Sequence, residues 1–137
     1  MKEKKRLMPV SLDFVPKSYE IDFVGHVGNI VYVKWLEDLR FEWLEKYFPL
    51  SEQAEMDIAP VLLRTDIRYK SQIKLLDSPV KGTVWVEEMG RLKWLLGSEF
   101  VYDGKVKADA LQTGIFVKLP DAKPIRTPNS LFDLKNK

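Results

Sequence analysis

The sequence of 137 residues contains no cysteine and only one histidine, His26. Disulfide bonds, thiolate metal sites and cysteine nucleophiles are therefore excluded, and so is a zinc site built from several histidines. No stretch approaches the ~20 apolar residues that a membrane-spanning helix needs. The run of residues 2–6, four of which are basic, is not followed by the apolar segment of a signal peptide, so we expect a cytoplasmic protein.

An excess of one charge is also lacking, because 22 basic and 20 acidic residues leave a formal net charge of +2. The one dense basic run, residues 2–6, lies at a terminus, where chains are usually mobile, so nucleic acid is not an expected partner. Hydrophobic residues make up 45% of the chain, which is typical of a folded protein. We predict one domain over residues 1–137, with residues 1–8 as a mobile tail.

One long helix is predicted from Ile30 to Tyr47. Apolar residues recur there every three or four positions, which is the spacing of an amphipathic helix. The members of this stripe are Tyr32, Leu36, Leu39, Trp43 and Tyr47. Pro49, directly after Phe48, is expected to end the helix.

The rest of the chain has the alternation and composition of β-strands. A first strand is predicted from Val10 to Asp22, interrupted around Pro16. Four more are predicted after the helix, at residues 61–69, 80–89, 93–102 and 106–119. Asp103-Gly104 predicts a hairpin between the last two, and a short helical turn is expected near residues 129–134.

These elements predict an α+β fold. A single amphipathic helix must bury its apolar stripe, and the simplest partner is one curved antiparallel sheet of about five strands wrapped around it. This arrangement is the hotdog fold, and the last three strands would form a meander. Because such a sheet leaves edges and one face to protect, we expect the subunits to pair, at least as a homodimer.

The clearest motif follows Asp22. The offsets from this aspartate are three, ten, fifteen and eighteen residues, to Gly25, Tyr32, Glu37 and Arg40. The spacing resembles the signature of 4-hydroxybenzoyl-CoA-type hotdog thioesterases, in which an aspartate precedes a glycine-containing loop and a helix carrying a tyrosine, a glutamate and an arginine. Residues 25–29 are similar to the Gly-His-Val-Asn-Asn variant of that loop, with Gly28 in place of an asparagine.

The resemblance implies a thioesterase acting on an aromatic or fatty acyl-CoA, or alternatively on an acyl carrier protein thioester. Asp22 would be the catalytic carboxylate, as general base or as nucleophile, and the backbone N–H at or near Asn29 would polarise the carbonyl. Helix N-termini suit this task because their first N–H groups are unpaired. An aspartate before a helix, taken alone, is more often a cap or loop residue. The chemistry requires no metal or organic cofactor.

Other residues are assigned to the site by the same resemblance. Glu37 is the second candidate for the base, although a surface ion pair with Arg40 is the simpler interpretation. Arg91, Lys93 and Arg126 match positions where related thioesterases bind the coenzyme's phosphates, and an arginine can do so bidentately. Arg91 and Lys93 are equally compatible with solvated turn residues. A pocket across a subunit interface is expected, in a dimer or a tetramer of two dimers.

Gly25, His26 and Tyr32 are expected at the substrate. Each also has a plain structural interpretation. Gly25 gives the backbone freedom, a lone loop histidine more often orients a loop than moves protons, and Tyr32 belongs to the core stripe.

Three other functions are weighed against the thioesterase. A hotdog hydratase or dehydratase would pair His26 with an acid, but the Asn-Pro step of one pattern and the prolines of the other are absent. A serine hydrolase lacks its Gly-x-Ser-x-Gly elbow. A non-catalytic acyl-thioester sensor stays open, because a fold does not establish an activity.

Overall fold

The computed structural model describes residues 6–135, which form a six-stranded antiparallel sheet and three α-helices. In chain order the elements are β1 (Leu7–Phe14), a 3₁₀ helix (Ser18–Glu20), α1 (Asn29–Tyr47), α2 (Leu50–Met56), β2 (Ile58–Tyr69), β3 (Val80–Met89), β4 (Trp94–Tyr102), β5 (Lys105–Lys118), β6 (Lys123–Ile125) and α3 (Asn129–Lys135). The strand order is β1-β3-β4-β5-β2, and β6 pairs with the end of β5. The predicted hotdog fold is confirmed.

The long helix α1 buries the stripe that its sequence predicts. Tyr32, Leu36, Leu39 and Trp43 are each no more than 2% exposed. The helix ends at Tyr47, and the chain turns at Phe48-Pro49 into the short helix α2. Proline disfavours the helical conformation of the residue before it, which explains the position of this break.

Aromatic contacts hold α1 to one side of the sheet. Trp35 stacks on Phe14 of β1 with ring centroids 4.9 Å apart, and both rings contact Phe100 of β4. Further along, the Trp43 indole N–H donates to the Met8 carbonyl of β1 at 3.1 Å. Since α1 packs mainly against β1 and β3, the helix-facing side of the edge strand β2 is left partly open, with Tyr69 47% exposed.

The first strand differs from its prediction, because β1 ends at Phe14 and does not reach Asp22. Pro16 cannot donate to a strand ladder. The next residues close a 3₁₀ turn in which the Lys17 N–H donates to the Glu20 carboxylate at 2.9 Å. The strand therefore stops well before Asp22, which lies in a loop.

Three further differences concern the ends and short elements. The predicted tail is wrong for Leu7 and Met8, which lie in β1, while residues 1–5 lie outside the described part of the chain. Neither α2 nor β6 was predicted. The meander of β3, β4 and β5, the Asp103-Gly104 hairpin and the short helix α3 agree with the prediction.

Gly114 of β5 allows close packing, and its replacement is a test of the fold. A Cβ at this position would overlap the Trp94 indole and the Val61 carbonyl. We expect Gly114→Ala to lower the free energy of unfolding by about 1–3 kcal/mol, the usual cost of overpacking. Chemical denaturation monitored by tryptophan fluorescence measures the change.

Gly28→Ala is the matched control for this substitution. Gly28 has a φ of −66°, and a Cβ there would meet only the Glu20 carbonyl, at an ordinary 3.7 Å. We expect this variant to be as stable as the wild type or slightly more stable. Equal stability of both variants would contradict the packing described for Trp94.

Candidate active site

A tight loop of residues 22–26 leads from the 3₁₀ helix towards α1. Ile21 and Val27 form an antiparallel bridge across its base, and the Asp22 N–H donates to the His26 carbonyl at 2.8 Å. Gly25 closes the turn with a φ of +86°, a conformation that side chains other than glycine rarely adopt. The loop thus places Asp22 directly beside the start of α1.

The Asp22 carboxylate binds its own loop through one oxygen atom. Its Oδ1 accepts the N–H groups of Val24 at 3.1 Å and His26 at 3.0 Å. Within residues 6–135 no group donates to the second oxygen, and the side chain is exposed. One oxygen therefore fixes the loop, and the other stays accessible to a water molecule or a substrate.

The loop is anchored to the segment between β2 and β3. The Val27 N–H donates to the Ile73 carbonyl at 2.7 Å, and both side chains are buried. His26 forms a backbone bridge with Lys74, and its side chain is half-buried. The backbone of His26 is therefore part of the loop's framework.

The N-terminus of α1 has no side-chain cap. Gly28 is the N-cap residue, Asn29 is the first helical residue, and the first turn contains no acidic residue. The Gly28 N–H donates to Glu20 and the Val31 N–H to Gly28, each at 3.0 Å. The amides of Asn29 and Ile30 therefore face outward at the positive end of the helix dipole.

Tyr32 lies in the core rather than in the open site. It is 2% exposed and makes edge contacts with Trp35, Phe100 and Tyr69. Burial, together with the neighbouring Tyr69, raises the pKa of Tyr32 to about 12. Its hydroxyl therefore stays protonated at neutral pH. The centroid of its ring lies 5.1 Å from that of the exposed Tyr69, so the ring connects Tyr69 to the core.

Glu37 lies eight residues beyond Asn29 on α1, about 12 Å along the helix. Its side chain is exposed, and the ion pairs of the described residues do not include one between Glu37 and Arg40. Burial lowers the pKa of Arg40, and the attraction of Glu37 acts in the opposite direction without cancelling it. Within residues 6–135 the two side chains therefore attract each other without the close contact of an ion pair.

A pocket of about 210 Å³ lies between α1 and the sheet. Its walls are largely apolar, and Glu37 and Arg40 contribute its charged groups. The main apolar residues are Phe41, Trp43, Leu44, Leu62, Trp94 and Phe116. This pocket was not predicted from the sequence. The available signal was the set of apolar residues on α1 outside the predicted stripe, such as Phe41 and Leu44.

The structure brings Arg91, Lys93 and Arg126 close to one another. Residues 90–93 form the turn from β3 to β4, closed by the Gly90 N–H donating to Lys93 at 2.9 Å. Thr127, next to Arg126, donates its N–H to the Arg91 carbonyl at 2.7 Å and its hydroxyl to Gly90. The Arg91 guanidinium lies 4.5 Å over the Phe132 ring. These three residues form an exposed basic cluster.

The basic cluster and the Asp22 loop lie at opposite ends of the sheet. Val80, the first residue of β3, pairs with Phe14 at the end of β1, from which the chain continues to the Asp22 loop. Met89, the last residue of β3, precedes the turn that holds Arg91. Ten residues of strand span about 30 Å, so in one chain the cluster is far from Asp22.

Comparison with known proteins relates this site to a family. The model of the thioesterase-like superfamily matches residues 16–133, a range that includes the Asp22 loop, α1 and the basic cluster. The chain belongs to this superfamily. The enzyme class predicted from the sequence, a thioester hydrolase, is confirmed at this level.

Single relatives agree with this assignment. The long-chain acyl-CoA thioesterase FadM of Escherichia coli (strain K12) is 26% identical over 117 residues, which cover 84% of this chain and 88% of FadM. The crystal structure of YbaW, a probable thioesterase from Escherichia coli, has a TM-score of 0.79 at 24% identity and covers 93% of this chain and 96% of its own.

A thioesterase from Thermus thermophilus, crystallised with coenzyme A and zinc, has a TM-score of 0.79 at 22% identity. It covers 95% of this chain and 99% of its own. At this level of identity the two crystal structures support the fold. Among residues 6–135, no helix is both long and apolar enough to cross a membrane.

The structural part of Asp22's role can be separated from its chemistry. Asn keeps an oxygen that accepts the N–H groups of Val24 and His26, whereas Ala has none. We expect the free energy of unfolding of Asp22→Asn to lie within about 0.5 kcal/mol of the wild-type value. That of Asp22→Ala should be lower by about 0.5–1.5 kcal/mol. Equilibrium denaturation of the three proteins measures this, and equal losses would show that the loop does not depend on these bonds.

Proposed function

We propose that this protein hydrolyses the thioester bond of an acyl-CoA, with Asp22 as the catalytic carboxylate. The observation that carries the proposal is the Asp22 loop, which fixes one carboxylate oxygen and leaves the other exposed beside an uncapped helix N-terminus. Membership of the thioesterase-like superfamily supports the reaction. FadM, named as a long-chain acyl-CoA thioesterase, supports coenzyme A as the carrier.

In the proposed reaction Asp22 is the general base. It takes a proton from a water molecule while the water oxygen bonds to the thioester carbon. The resulting oxyanion collapses, the C–S bond breaks, and the coenzyme A thiolate takes the proton, which leaves the free acid. In the alternative route, the carboxylate attacks the carbon itself and expels the coenzyme A thiolate as the C–S bond breaks, and water then hydrolyses the mixed anhydride to the free acid and the Asp22 carboxylate. Both routes use the free oxygen and leave the loop bonds of Asp22 in place, and we propose the first.

The first amides of α1 are suited to stabilise the oxyanion. Those of Asn29 and Ile30 follow Gly28, which offers no side chain to cap them. They lie at the positive end of a helix of 19 residues, and preorganised amide donors of this kind are worth ~10²–10³ in rate. Asn29 acts here through its backbone, so the proposal does not require its side chain.

The acyl group would lie in the groove between α1 and β2. One end of this groove, at the Asp22 loop, is marked by Tyr32 and Tyr69, whose rings are 5.1 Å apart. The other end is the apolar pocket beside Arg40. Asn29 and Arg40 are about 16 Å apart along the helix. A groove of this length fits an extended fatty acyl chain better than a single aromatic ring.

A second copy of the chain would complete the site. The length of β3 separates the basic cluster of Arg91, Lys93 and Arg126 from the Asp22 loop by about 30 Å. In one subunit this is too far for both groups to bind the coenzyme end of one substrate. The edge strand β2 is partly open, and its Leu62 is 38% exposed. We therefore propose a homodimer in which the basic cluster of one subunit binds the coenzyme phosphates at the Asp22 of the other.

Thiol release from a panel of aromatic and straight-chain acyl-CoAs tests the reaction. We expect the wild type to cleave at least one of them and Asp22→Asn to lose at least about 100-fold in kcat, because its amide cannot accept the proton. Asp77→Asn is the matched control. The Asp77 carboxylate also holds a loop N–H, that of Lys74 at 2.9 Å, and we expect this variant to stay active.

Three other outcomes of this assay would support a different base, a different carrier or a different function. Collapse of activity in Glu37→Gln, with Asp22→Asn active, would make Glu37 the base. Cleavage of acyl carrier protein thioesters alone would exclude coenzyme A as the carrier. Binding of acyl-CoA without any turnover would point to a non-catalytic sensor and would overturn the proposed reaction.

Mixed dimers test whether the site spans two subunits. One inactive parent carries Asp22→Asn and the other carries Arg91→Ala with Arg126→Ala. In a dimer with one chain of each, one of the two composite sites is intact. Equal co-expression makes half of the dimers mixed, so we expect about a quarter of the wild-type activity at low substrate concentration. Activity no higher than that of the parents would contradict a shared site.

A further inference from the structure

Gln112 is a buried amide in the middle of the sheet. It lies on the helix-facing side of β5 and is 1% exposed. Its Nε2 donates to the Thr65 hydroxyl of β2 at 3.0 Å, while its Oε1 is buried and has no hydrogen-bond partner within residues 6–135. A buried acceptor without a donor is costly, and such groups in natural proteins are uncommon.

One end of the Gln112 amide lacks a hydrogen-bond partner whichever way the amide is oriented. If its oxygen and nitrogen were exchanged, Oε1 could accept the Thr65 hydroxyl, and Nε2 would lack an acceptor instead. Thr65 is the only side chain that bonds this amide among the described residues. One of the two polar ends of Gln112 is therefore unpartnered in either orientation.

This amide lies beside the proposed acyl groove. Its neighbour Thr65 is half-buried on the helix-facing side of β2, which α1 leaves partly open. On the other side Gln112 pairs with Leu96 of β4, which lines the apolar pocket. The β5 position two residues before Gln112 on this side is Ala110, which is small. Along the sheet, Gln112 and Thr65 thus form a polar point between Tyr69 and the apolar pocket.

We propose that Gln112 and Thr65 select an acyl chain that carries a hydroxyl group. This inference rests on the proposed function and names the substrate class of the same site. A chain hydroxyl can donate to Gln112 Oε1 and accept from the Thr65 hydroxyl, whose hydrogen is free because its oxygen is the acceptor for Gln112. Such a ligand would satisfy the unpartnered acceptor, whereas an unsubstituted chain would leave it unpaired.

The register of the sheet places this hydroxyl away from the thioester. Tyr69, at the Asp22 end of β2, pairs with Ala108 of β5. Gln112 is four residues further along β5, about 13 Å from that end. The recognised hydroxyl is therefore one in the middle of the chain or beyond it, and not one on the carbons next to the thioester.

Two measurements separate this inference from the proposed reaction. Thiol release is measured with straight-chain acyl-CoAs that are unsubstituted or hydroxylated at the third carbon, in mid-chain or at the end. Affinity is measured by calorimetry with the corresponding non-hydrolysable thioethers. We expect the wild type to prefer a mid-chain or terminal hydroxyl by about tenfold or more, both in kcat/KM and in affinity.

Conservative variants identify the residues responsible. We expect Gln112→Met and Thr65→Val to lose the preference, so that the ratio of the affinities for hydroxylated and unsubstituted thioethers falls towards one. Gln53→Met is the control. Gln53 is also buried, and its Nε2 donates to the Phe48 carbonyl at 2.9 Å, away from the groove. Its loss should lower the thermal stability and leave the hydroxyl preference unchanged.

The outcomes are distinct. A hydroxyl preference in affinity but no turnover of any thioester would refute the reaction and retain the recognition. Turnover with equal rates and affinities for plain and hydroxylated chains would overturn the recognition and retain the reaction. A Gln112→Met variant that is more stable than the wild type and keeps its hydroxyl preference would show that Gln112 is only a polar core residue.

Discussion

The position of α1 over one side of the sheet is the constraint on which the rest of the molecule depends. It is set by large rings that must be buried together, those of Trp35, Phe14 and Phe100, and by the bond from Trp43 to the carbonyl of Met8. Aromatic rings contribute much apolar area and have preferred packing geometries. Because these contacts draw α1 towards β1 and β3, the helix cannot also cover β2. The proposed acyl groove would therefore be a consequence of core packing.

In the Asp22 loop, one side chain makes a structural bond and also has the chemical role that we propose. A carboxylate has two oxygen atoms, and in this loop the two are in different environments. Oδ1 bonds two backbone N–H groups, which fixes the direction in which the second oxygen points. Side chains held by their own neighbours keep a defined geometry towards a substrate. The interpretation of Asp22 as a loop residue and the interpretation as a catalyst are therefore compatible.

Much of the fold could be predicted from the sequence because its determinants are local. The helix stripe, the Asp103-Gly104 hairpin and the break at Pro49 all depend on the spacing or backbone preferences of neighbouring residues. The end of β1 could not be predicted this way, since the bond from Lys17 to Glu20 competes with strand pairing. The short elements α2 and β6 have too few residues for a periodic signal.

The parts of the site also differ in how far the sequence predicts them. The loop and the helix start are contiguous in sequence, so the motif predicted that Asp22 and Asn29 would lie near one another. The groove depends on where α1 lies across the sheet, which periodicity does not encode. Gln112 was missed because strand alternation describes faces by their apolar residues, and a polar residue on the buried face has no place in that pattern. Its burial is visible only once β2 and β5 are paired.

The separation between the Asp22 loop and the basic cluster constrains the homodimer that we propose. Each group is held to its own end of β3, through Phe14 at one end and the turn at Gly90 at the other. The sheet is stiff, so no loop movement in one subunit closes a distance of about 30 Å. A twofold axis solves this geometry, because antiparallel pairing of two identical sheets places the far end of one beside the near end of the other. If both groups bind one substrate, the same symmetry necessarily makes two such sites per dimer.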